Sequence, residues 1–364
     1  MKIQDLDTPV LVVDADSLEH NISHLRDITN AAGISCRPHA KTHKSAIIAK
    51  MQQRAGAIGI CCAKLGEAEV MAENGINDLL ITSPVIGESK ISRLLEAQKK
   101  AKIAVVTDAE LNIQMLGHFA QLAGIKLDVL VEIDIGQRRC GVLPGTHAVD
   151  LARIIENHTW LNFVGLQGYQ GKLQMITGAE ERKAANTLSL DLLAQTVTDI
   201  EKEGFNVKIC TGGGTGSSPF DLERGLLTEI QAGSYVFMDS RYGSISWPNA
   251  KIPPFKHALR ILTTVISRPS TDRVIVDAGL KAASSDQGPP VLEDGQDQVF
   301  DFGGDEHGIV TVKHHGKVPY NVGDKLRLLP SHCDTTVNLY DQFIVTQGED
   351  VVDVWPVDAR GRIQ

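Results

Sequence analysis

The sequence predicts a (β/α)8 TIM-like barrel with a C-terminal, mostly antiparallel β-domain. Three observations carry this expectation. Eight short strand-like runs within residues 14–245 are each followed by a helical pattern. After Trp247-Pro248 the pattern changes to strands joined by Gly, Asp and Pro turns. The length of 364 residues suits one barrel plus a smaller companion. A doubly wound open sheet is the alternative, but it usually has fewer parallel strands.

Residues 9–13 fit a strand of either domain. They are grouped, as part of 1–13, with a β-domain that continues over 246–364. Leu18, Ile22, Leu25 and Ile28 then recur at helical spacing, with Asp14 or Asp16 as cap. The eight barrel strands are expected at 34–41, 58–64, 79–82, 103–107, 127–135, 163–169, 207–211 and 229–237. The β-domain strands are expected at 258–267, 273–277, 308–314, 325–329 and 343–346, with no helix between them. No internal repeat or low-complexity tract appears.

Composition narrows the function classes. With 36 basic against 45 acidic residues the net charge is −9, which argues against a nucleic acid or an anionic membrane as partner. Hydrophobic residues make up 42% of the chain, enough for a large core. No run reaches transmembrane length, and Met1-Lys2-Ile3-Gln4-Asp5 has no apolar signal core, so a cytoplasmic location is expected. The six cysteines form no CxxC pair and are expected to be reduced.

Arg37-Pro38-His39-Ala40-Lys41-Thr42-His43-Lys44 follows a short apolar approach and runs into a helical pattern. Lys41 is thereby placed at the carboxyl end of the first barrel strand, where such barrels hold their chemistry. Two histidines, a second lysine and partial desolvation are expected to lower its amine pKa and make it a Schiff-base nucleophile. Alone, the octapeptide also reads as a basic loop binding an anion. Thr211-Gly212-Gly213-Gly214-Thr215-Gly216-Ser217-Ser218 follows the seventh strand, where barrels commonly bind phosphate. Its glycines allow close approach of backbone N–H groups, and Thr211, Gly213, Gly214, Thr215 and Gly216 are the candidate contacts. It matches neither a Walker loop nor a dinucleotide fingerprint. A lone phosphate site plus a reactive lysine points to pyridoxal phosphate.

Arg139, just past the fifth strand, either faces the pyridine nitrogen of that cofactor or is an exposed loop arginine. Tyr169, ending the sixth, either lies beside cofactor or substrate or is a rim aromatic. In the β-domain, Ser331-His332-Cys333-Asp334 read as extended puts His332 and Asp334 on one face and Cys333 on the other. Imidazole plus carboxylate suits Mn²⁺, Co²⁺ or Zn²⁺, and two protein ligands leave positions for water and substrate. A surface His-x-Asp without metal is the plainer reading. The stretch from Asp277 to Asp286 and the Glu306-His307 loop hold further ionisable groups, read as solvated loops or support for the site. His314-His315 is read as surface.

Together these motifs resemble the D-threonine aldolase and D-serine dehydratase family of fold-type III pyridoxal-phosphate enzymes, related to the alanine racemase barrel. The resemblance runs from Asp7-Thr8-Pro9 through the lysine motif, Gly66-Glu67-Ala68-Glu69, Glu132-Ile133-Asp134, Arg139-Cys140-Gly141-Val142, the glycine loop and Asp277-Ala278-Gly279-Leu280-Lys281 to the segment from His332 to Asp341. It implies Lys41 as the Schiff-base lysine, Arg139 facing the ring nitrogen, Tyr169 beside the cofactor, and His332 and Asp334 as ligands of a divalent metal. It also implies a homodimer acting on a small D-amino acid. Within the family His-x-Asp is the aldolase pattern and favours Mn²⁺, whereas His-x-Cys is the dehydratase pattern and binds zinc. The expected activity is therefore retro-aldol cleavage of D-3-hydroxy-α-amino acids. Its base is left open between a water on the metal and a nearby histidine. Rival readings are a D-serine or D-3-hydroxyaspartate dehydratase on the same scaffold, an amino-acid racemase without metal, and a non-catalytic cofactor carrier.

Overall fold

The computed structural model describes residues 1–248, 253–295, 297–314 and 316–364. Strand β1 (Val10–Asp14) leads directly into helix α1 (Ala15–Ala32). Asp14 caps that helix by accepting from the Ser17 amide, and Gly33 closes it at φ 66°. Leu18, Ile22 and Leu25 form its buried stripe.

Eight parallel strands follow. They are β2 (Ser35–Cys36), β3 (Ile60–Cys62), β4 (Asp78–Ile81), β5 (Lys102–Thr107), β6 (Leu127–Ile133), β7 (Leu161–Gly168), β8 (Ile209–Gly212) and β9 (Glu229–Ile230). Between them run helices α2 (Ala46–Arg54), α3 (Leu65–Glu73), α4 (Glu88–Gln98), α5 (Glu110–Ala123), α6 (Thr146–Glu156), α7 (Ala179–Lys202) and α8 (Ser218–Arg224), with a single turn α9 (Ser240–Gly243) after β9. The sheet order is β2-β9-β8-β7-β6-β5-β4-β3. Its two ends meet, because Ile58 N–H donates to the Cys36 carbonyl (3.0 Å), Cys61 N–H to Pro38 (2.8 Å) and Ala40 N–H to Cys61 (2.8 Å). The barrel is closed by these bonds, although β2 and β3 are too short to reach each other as regular strands.

Continuous apolar runs such as Ile103–Val106 are buried on both faces, as a parallel sheet under helices requires. The lumen is plugged by Cys61, Leu80, Ala104, Val106, Leu130 and Val164. The amino ends are sealed by charge: Arg37 bonds both carboxylate oxygens of Glu229, the first residue of β9, and also pairs with Asp78, the first residue of β4.

The second sheet comprises β10 (Leu259–Ser270), β11 (Arg273–Val276), β12 (Val291–Leu292), β13 (Gln298–Phe302), β14 (Gly308–Val312), β15 (Lys325–Leu329), β16 (Gln342–Gln347) and β17 (Asp350–Pro356). Its order is β13-β14-β11-β10-β1-β16-β17, with β15 joining β10 to β12. The run at 9–13, compatible by sequence with either sheet, joins this one. It pairs antiparallel with β10 and parallel with β16. Strands β12, β13 and β17 escape the sequence pattern; β17 is an edge with Val352 and Val354 exposed, so it shows no apolar alternation. The expectation of no helix in this region is corrected by α10 (Cys333–Val337). His314 is exposed, and His315 lies outside the described residues. Among the described residues no helix is long and apolar enough to cross a membrane.

The chain end returns to the barrel. Ala359 N–H donates to the Lys44 carbonyl (2.9 Å), Asp358 accepts from the Ala46 amide (2.8 Å), and the Gln364 carbonyl accepts from Gly66 (2.9 Å). The C-terminal residues thus pin the lysine loop from outside.

Candidate active site

Lys41 sits where the strand extension ends in a turn, with Lys44 N–H bonded to the Ala40 carbonyl (2.7 Å) and Lys44 itself in the left-handed region at φ 50°. That unusual backbone is held by a buried ion pair of Lys44 Nζ with Glu67 Oε1 (2.5 Å). Glu67 Oε2 also accepts from Ala63 N–H (2.7 Å). The Gly66–Glu69 motif therefore supports the loop rather than the cofactor.

The two histidines and the second lysine do not make the setting of Lys41 cationic; the positive neighbour is Arg139, across the Tyr169 ring. Lys44 is neutralised by Glu67, and burial pushes the His43 pKa down to about 4 and that of His39 well below the ordinary imidazole value. Burial pulls the Lys41 amine downward too, but Tyr169 and Asp334 outweigh it, and its pKa is raised overall. The lowered lysine pKa read from the octapeptide is corrected accordingly: the deciding carboxylate comes from the far end of the chain. Neither loop histidine has a spare lone pair. His39 Nδ1 accepts from Lys41 N–H (3.3 Å) while its Nε2 faces Thr82 Oγ1 (3.1 Å), and His43 Nδ1 accepts from Ser45 N–H (3.1 Å). In that tautomer the remaining nitrogen of each carries the proton, so neither can act as a base.

Asp334 Oδ2 lies 3.9 Å from Lys41 Nζ, and Asp334 Oδ1 lies 4.0 Å from His332 Nε2. Oδ1 is buried and has no hydrogen-bond partner. The reason these side chains converge differs from the expected one. His332 is extended, but it is the residue before α10, and Cys333 and Asp334 already lie in that helix. Cys333 points inward, its N–H donating to Asp239 Oδ2 (3.4 Å) and its thiol to the Met238 carbonyl (3.6 Å). Asp286, which the sequence offered only as one of several ionisable loop groups, bonds His332 Nδ1 at 2.6 Å. Ser284 and Thr335 hydroxyls fix that carboxylate at 2.7 and 2.9 Å. Burial opposes a charge on His332, but Asp334 and Asp286 carry its pKa upward. Among the described residues no three His, Cys, Asp or Glu side chains are arranged so that all could hold one metal ion. The donor set is a two-residue N/O pair with an orphaned carboxylate oxygen and an oriented imidazole, which fits a divalent ion completed by water or substrate.

At the opposite side of the cavity, three successive peptides of the glycine loop have their carbonyls turned toward protein side chains. Ser218 Oγ donates to Thr215 (2.9 Å) and Arg182 Nε to Gly216 (2.8 Å), and the Gly214 carbonyl faces the Ser217 hydroxyl at 3.5 Å, whose proton goes to Asp221 (2.6 Å). A trans peptide sends its N–H the other way. The N–H groups of Thr215 and Gly216 have no acceptor among the described residues. A Cβ at Gly212 would lie 1.9 Å from the Gly168 carbonyl, and one at Gly216 would lie 2.2 Å from that of Gln174, so only glycine lets the loop fold this close. The cradle fits a phosphate.

Between the two ends the cavity is lined by His39, Lys41, Thr82, Arg139, Gln167, Tyr169, Thr215, Gln231, Ser234 and Tyr242. The Tyr169 ring has Lys41 Nζ 5.8 Å and Arg139 Cζ 5.6 Å from its centroid. Lys41, Arg139, Tyr169 and Thr215 thus come together on one cavity with His332 and Asp334 at its edge. Gly213, at φ 69° with Asp221 behind it, gives the loop its turn, and Gly214 and Gly216 pack on Gln174; none of the three lines the cavity. Thr211 does not either, since its hydroxyl is taken by Gln231 Nε2 (3.0 Å) inside the barrel. Gln167, Gln231 and Tyr242 escape sequence reasoning because isolated residues of these types carry no local signal. The lysine, an aromatic face, an arginine and the phosphate cradle suit pyridoxal phosphate.

Comparison with known proteins agrees with this geometry. The alanine racemase N-terminal domain model matches residues 13–241, and the putative serine dehydratase domain model matches residues 258–346. A D-threonine aldolase of Arthrobacter sp is 39% identical, covering 98% of this chain and 93% of that protein. A 3-hydroxy-D-aspartate aldolase of Paracoccus denitrificans is also 39% identical, covering 100% and 94%. The crystal structure of a D-threonine aldolase from Filomicrobium marinum superposes with a TM-score of 0.97 at 38% identity, over 100% of this chain and 98% of that one. The chain belongs to the D-threonine aldolase and D-serine dehydratase family, built on the alanine racemase barrel.

Proposed function

We propose that the protein is a lyase dependent on pyridoxal phosphate and a divalent metal, Mn²⁺ foremost, that cleaves the Cα–Cβ bond of D-3-hydroxy-α-amino acids. D-Threonine, giving glycine and acetaldehyde, is the model substrate. One observation carries the reading: the barrel lysine and the β-domain His-x-Asp pair meet at one carboxylate, Asp334, 3.9 Å from Lys41 and 4.0 Å from His332. Full-length similarity to two aldolases supports it.

Pyridoxal phosphate joined to Lys41 supplies an electron sink for the bond that breaks. A divalent ion on His332 and Asp334 supplies Lewis acidity toward the 3-hydroxyl. Arg139 cannot release a proton, so it would leave a ring nitrogen bound against it unprotonated, and the sink would be a weak one. The oxygen end of the substrate must then carry more of the work, which suits an anchored His–Asp pair. Asp334 Oδ2, 3.9 Å from Lys41 Nζ, would stabilise that amine as an ammonium whenever it is free. With His39 and His43 using their lone pairs internally, the hydroxyl proton leaves at the His332–Asp334 end. Tyr169 walls the cavity between Lys41 and Arg139.

The test is product analysis on D-threonine with pyridoxal phosphate and Mn²⁺. Glycine and acetaldehyde, lost on chelation, are expected. Ammonia and 2-oxobutyrate would make the protein a dehydratase, and chelator-resistant racemisation would remove the metal role. Lys41→Ala is expected to abolish the visible cofactor band. Asp334→Ala keeps the band and loses metal-dependent turnover; surviving turnover would place the metal elsewhere.

A further inference from the structure

Arg182, in the first turn of α7, is fully buried, yet no carboxylate pairs with it among the described residues. Its guanidinium donates only to backbone carbonyls: Nε to Gly216 (2.8 Å), Nη1 to Ile176 (2.5 Å) and Thr177 (3.4 Å), and Nη2 to Ser246 (2.5 Å). Its open side is covered by the Phe220 ring at 5.6 Å. A permanent cation withdrawn from water without a counter-charge is costly, and here four carbonyl dipoles offset that cost in place of a carboxylate. Among the described residues the other deeply buried arginine, Arg37, has its carboxylates in place. Asp221, the carboxyl group behind the same loop, bonds Ser217 (2.6 Å) and Asn186 (3.0 Å) instead of Arg182.

The contact to Gly216 is the informative one. That peptide is gripped from both sides, its carbonyl by Arg182 and its N–H, on Ser217, by Gln174 Oε1 (3.0 Å). The grip fixes the orientation of the adjacent free N–H groups of Thr215 and Gly216. Resting on the reading that this loop takes the phosphate of pyridoxal phosphate, we propose that Arg182 is a positioning residue for that phosphate. It aims the two backbone donors at the dianion and is the buried positive charge that the dianion answers.

The experiment compares binding of pyridoxal phosphate and of pyridoxal to the wild type, Arg182→Gln and Arg182→Lys, read by the visible band. Protection of the apoprotein against heat by inorganic phosphate is measured in parallel. Arg182→Gln is expected to weaken pyridoxal phosphate about tenfold or more while leaving pyridoxal within about twofold, and to abolish protection by phosphate. Arg182→Lys, which keeps the charge but cannot fork, is expected to fall between. Equal weakening of both ligands would overturn the proposal and leave Arg182 a structural residue. Should Arg182→Gln not fold, the same affinity ratio on Arg182→Lys decides, a fall supporting the assignment and an unchanged ratio refuting it. A wild type that binds pyridoxal as tightly as its phosphate would instead refute the loop reading itself, and Arg182's role with it.

Discussion

At the amino ends of the barrel strands Arg37 is enclosed by Glu229 and Asp78, whereas at the carboxyl ends Lys41 stands 3.9 Å from an Asp334 whose other oxygen has no partner. Both sites hold buried or half-buried charge in one lumen, separated by the apolar layer from Cys61 to Val164. The lower cluster closes on itself: one guanidinium meets two carboxylates, so nothing is left to bind a ligand. The upper one keeps an orphaned carboxylate oxygen, two unbonded loop N–H groups and a lysine held by a single long contact. Barrels keep stability and chemistry at opposite ends, and the difference lies in which end leaves its polar groups unanswered.

The comparison breaks most sharply at Arg37. Arg37→Met leaves Glu229 buried without its cation, and the expected loss is about 3–5 kcal/mol of folding stability. Urea unfolding checks this, while turnover per folded molecule is expected to stay unchanged. Arg37→Met with Glu229→Met recovers most of the loss, because the carboxylate that remains, Asp78, is 35% exposed and keeps its water. A fall in turnover at constant folded fraction would show that the two ends are not independent.

What the sequence could disclose follows the same division. Each barrel strand is a local apolar run, and the glycine loop and the lysine turn are contiguous, so all of these can be read directly. The environment of Lys41 cannot. Its carboxylate partner lies in the β-domain, and the neutrality of His39 and His43 depends on burial that no octapeptide reveals. The His-x-Asp pair is visible as a spacing, but Thr335, Thr336 and Val337 suggest an extended run. Asp239 and Met238, distant in sequence, draw Cys333 inward and fix the turn of α10 instead. Asp286 and Arg182 stay hidden for a related reason, since a carboxylate in a loop and an arginine in a helix show their roles only through what packs on them.

A second prediction sharpens the view that the upper layer bears an electrostatic cost. Glu132 on β6 is 3% exposed, its Oε2 lacks a partner, and burial raises its pKa from 4.5 to about 7 despite the pull of Arg139. Because the folded value lies above the unfolded one, its contribution to stability is complete below about pH 4.5 and is lost as pH rises toward 7. The expected decline attributable to this group is about 2 kcal/mol between pH 5 and 7. Glu132→Gln is expected to remove that decline, melting higher than the wild type at about pH 8 and nearly equal to it at about pH 5. Parallel melting curves for the two proteins across this range would show that Glu132 is compensated within the layer.

The smallest effect is expected at Asp286, and it tests whether the upper charges are directed toward a ligand. Asp286 holds His332 Nδ1 at 2.6 Å and is itself held by Ser284 and Thr335. Its task in the proposed metal site is to turn Nε2 toward the ion and to raise the basicity of the ring. Asp286→Asn keeps the shape and removes the charge, so Mn²⁺ is expected to bind about 10- to 100-fold more weakly, with the cofactor band unaltered. Saturating Mn²⁺ then restores most of the turnover. If the metal requirement of the variant matches that of the wild type, the Asp286–His332 contact only ties α10 to its neighbouring loop. The imidazole would then belong with Arg37, among the charges that answer one another rather than a ligand.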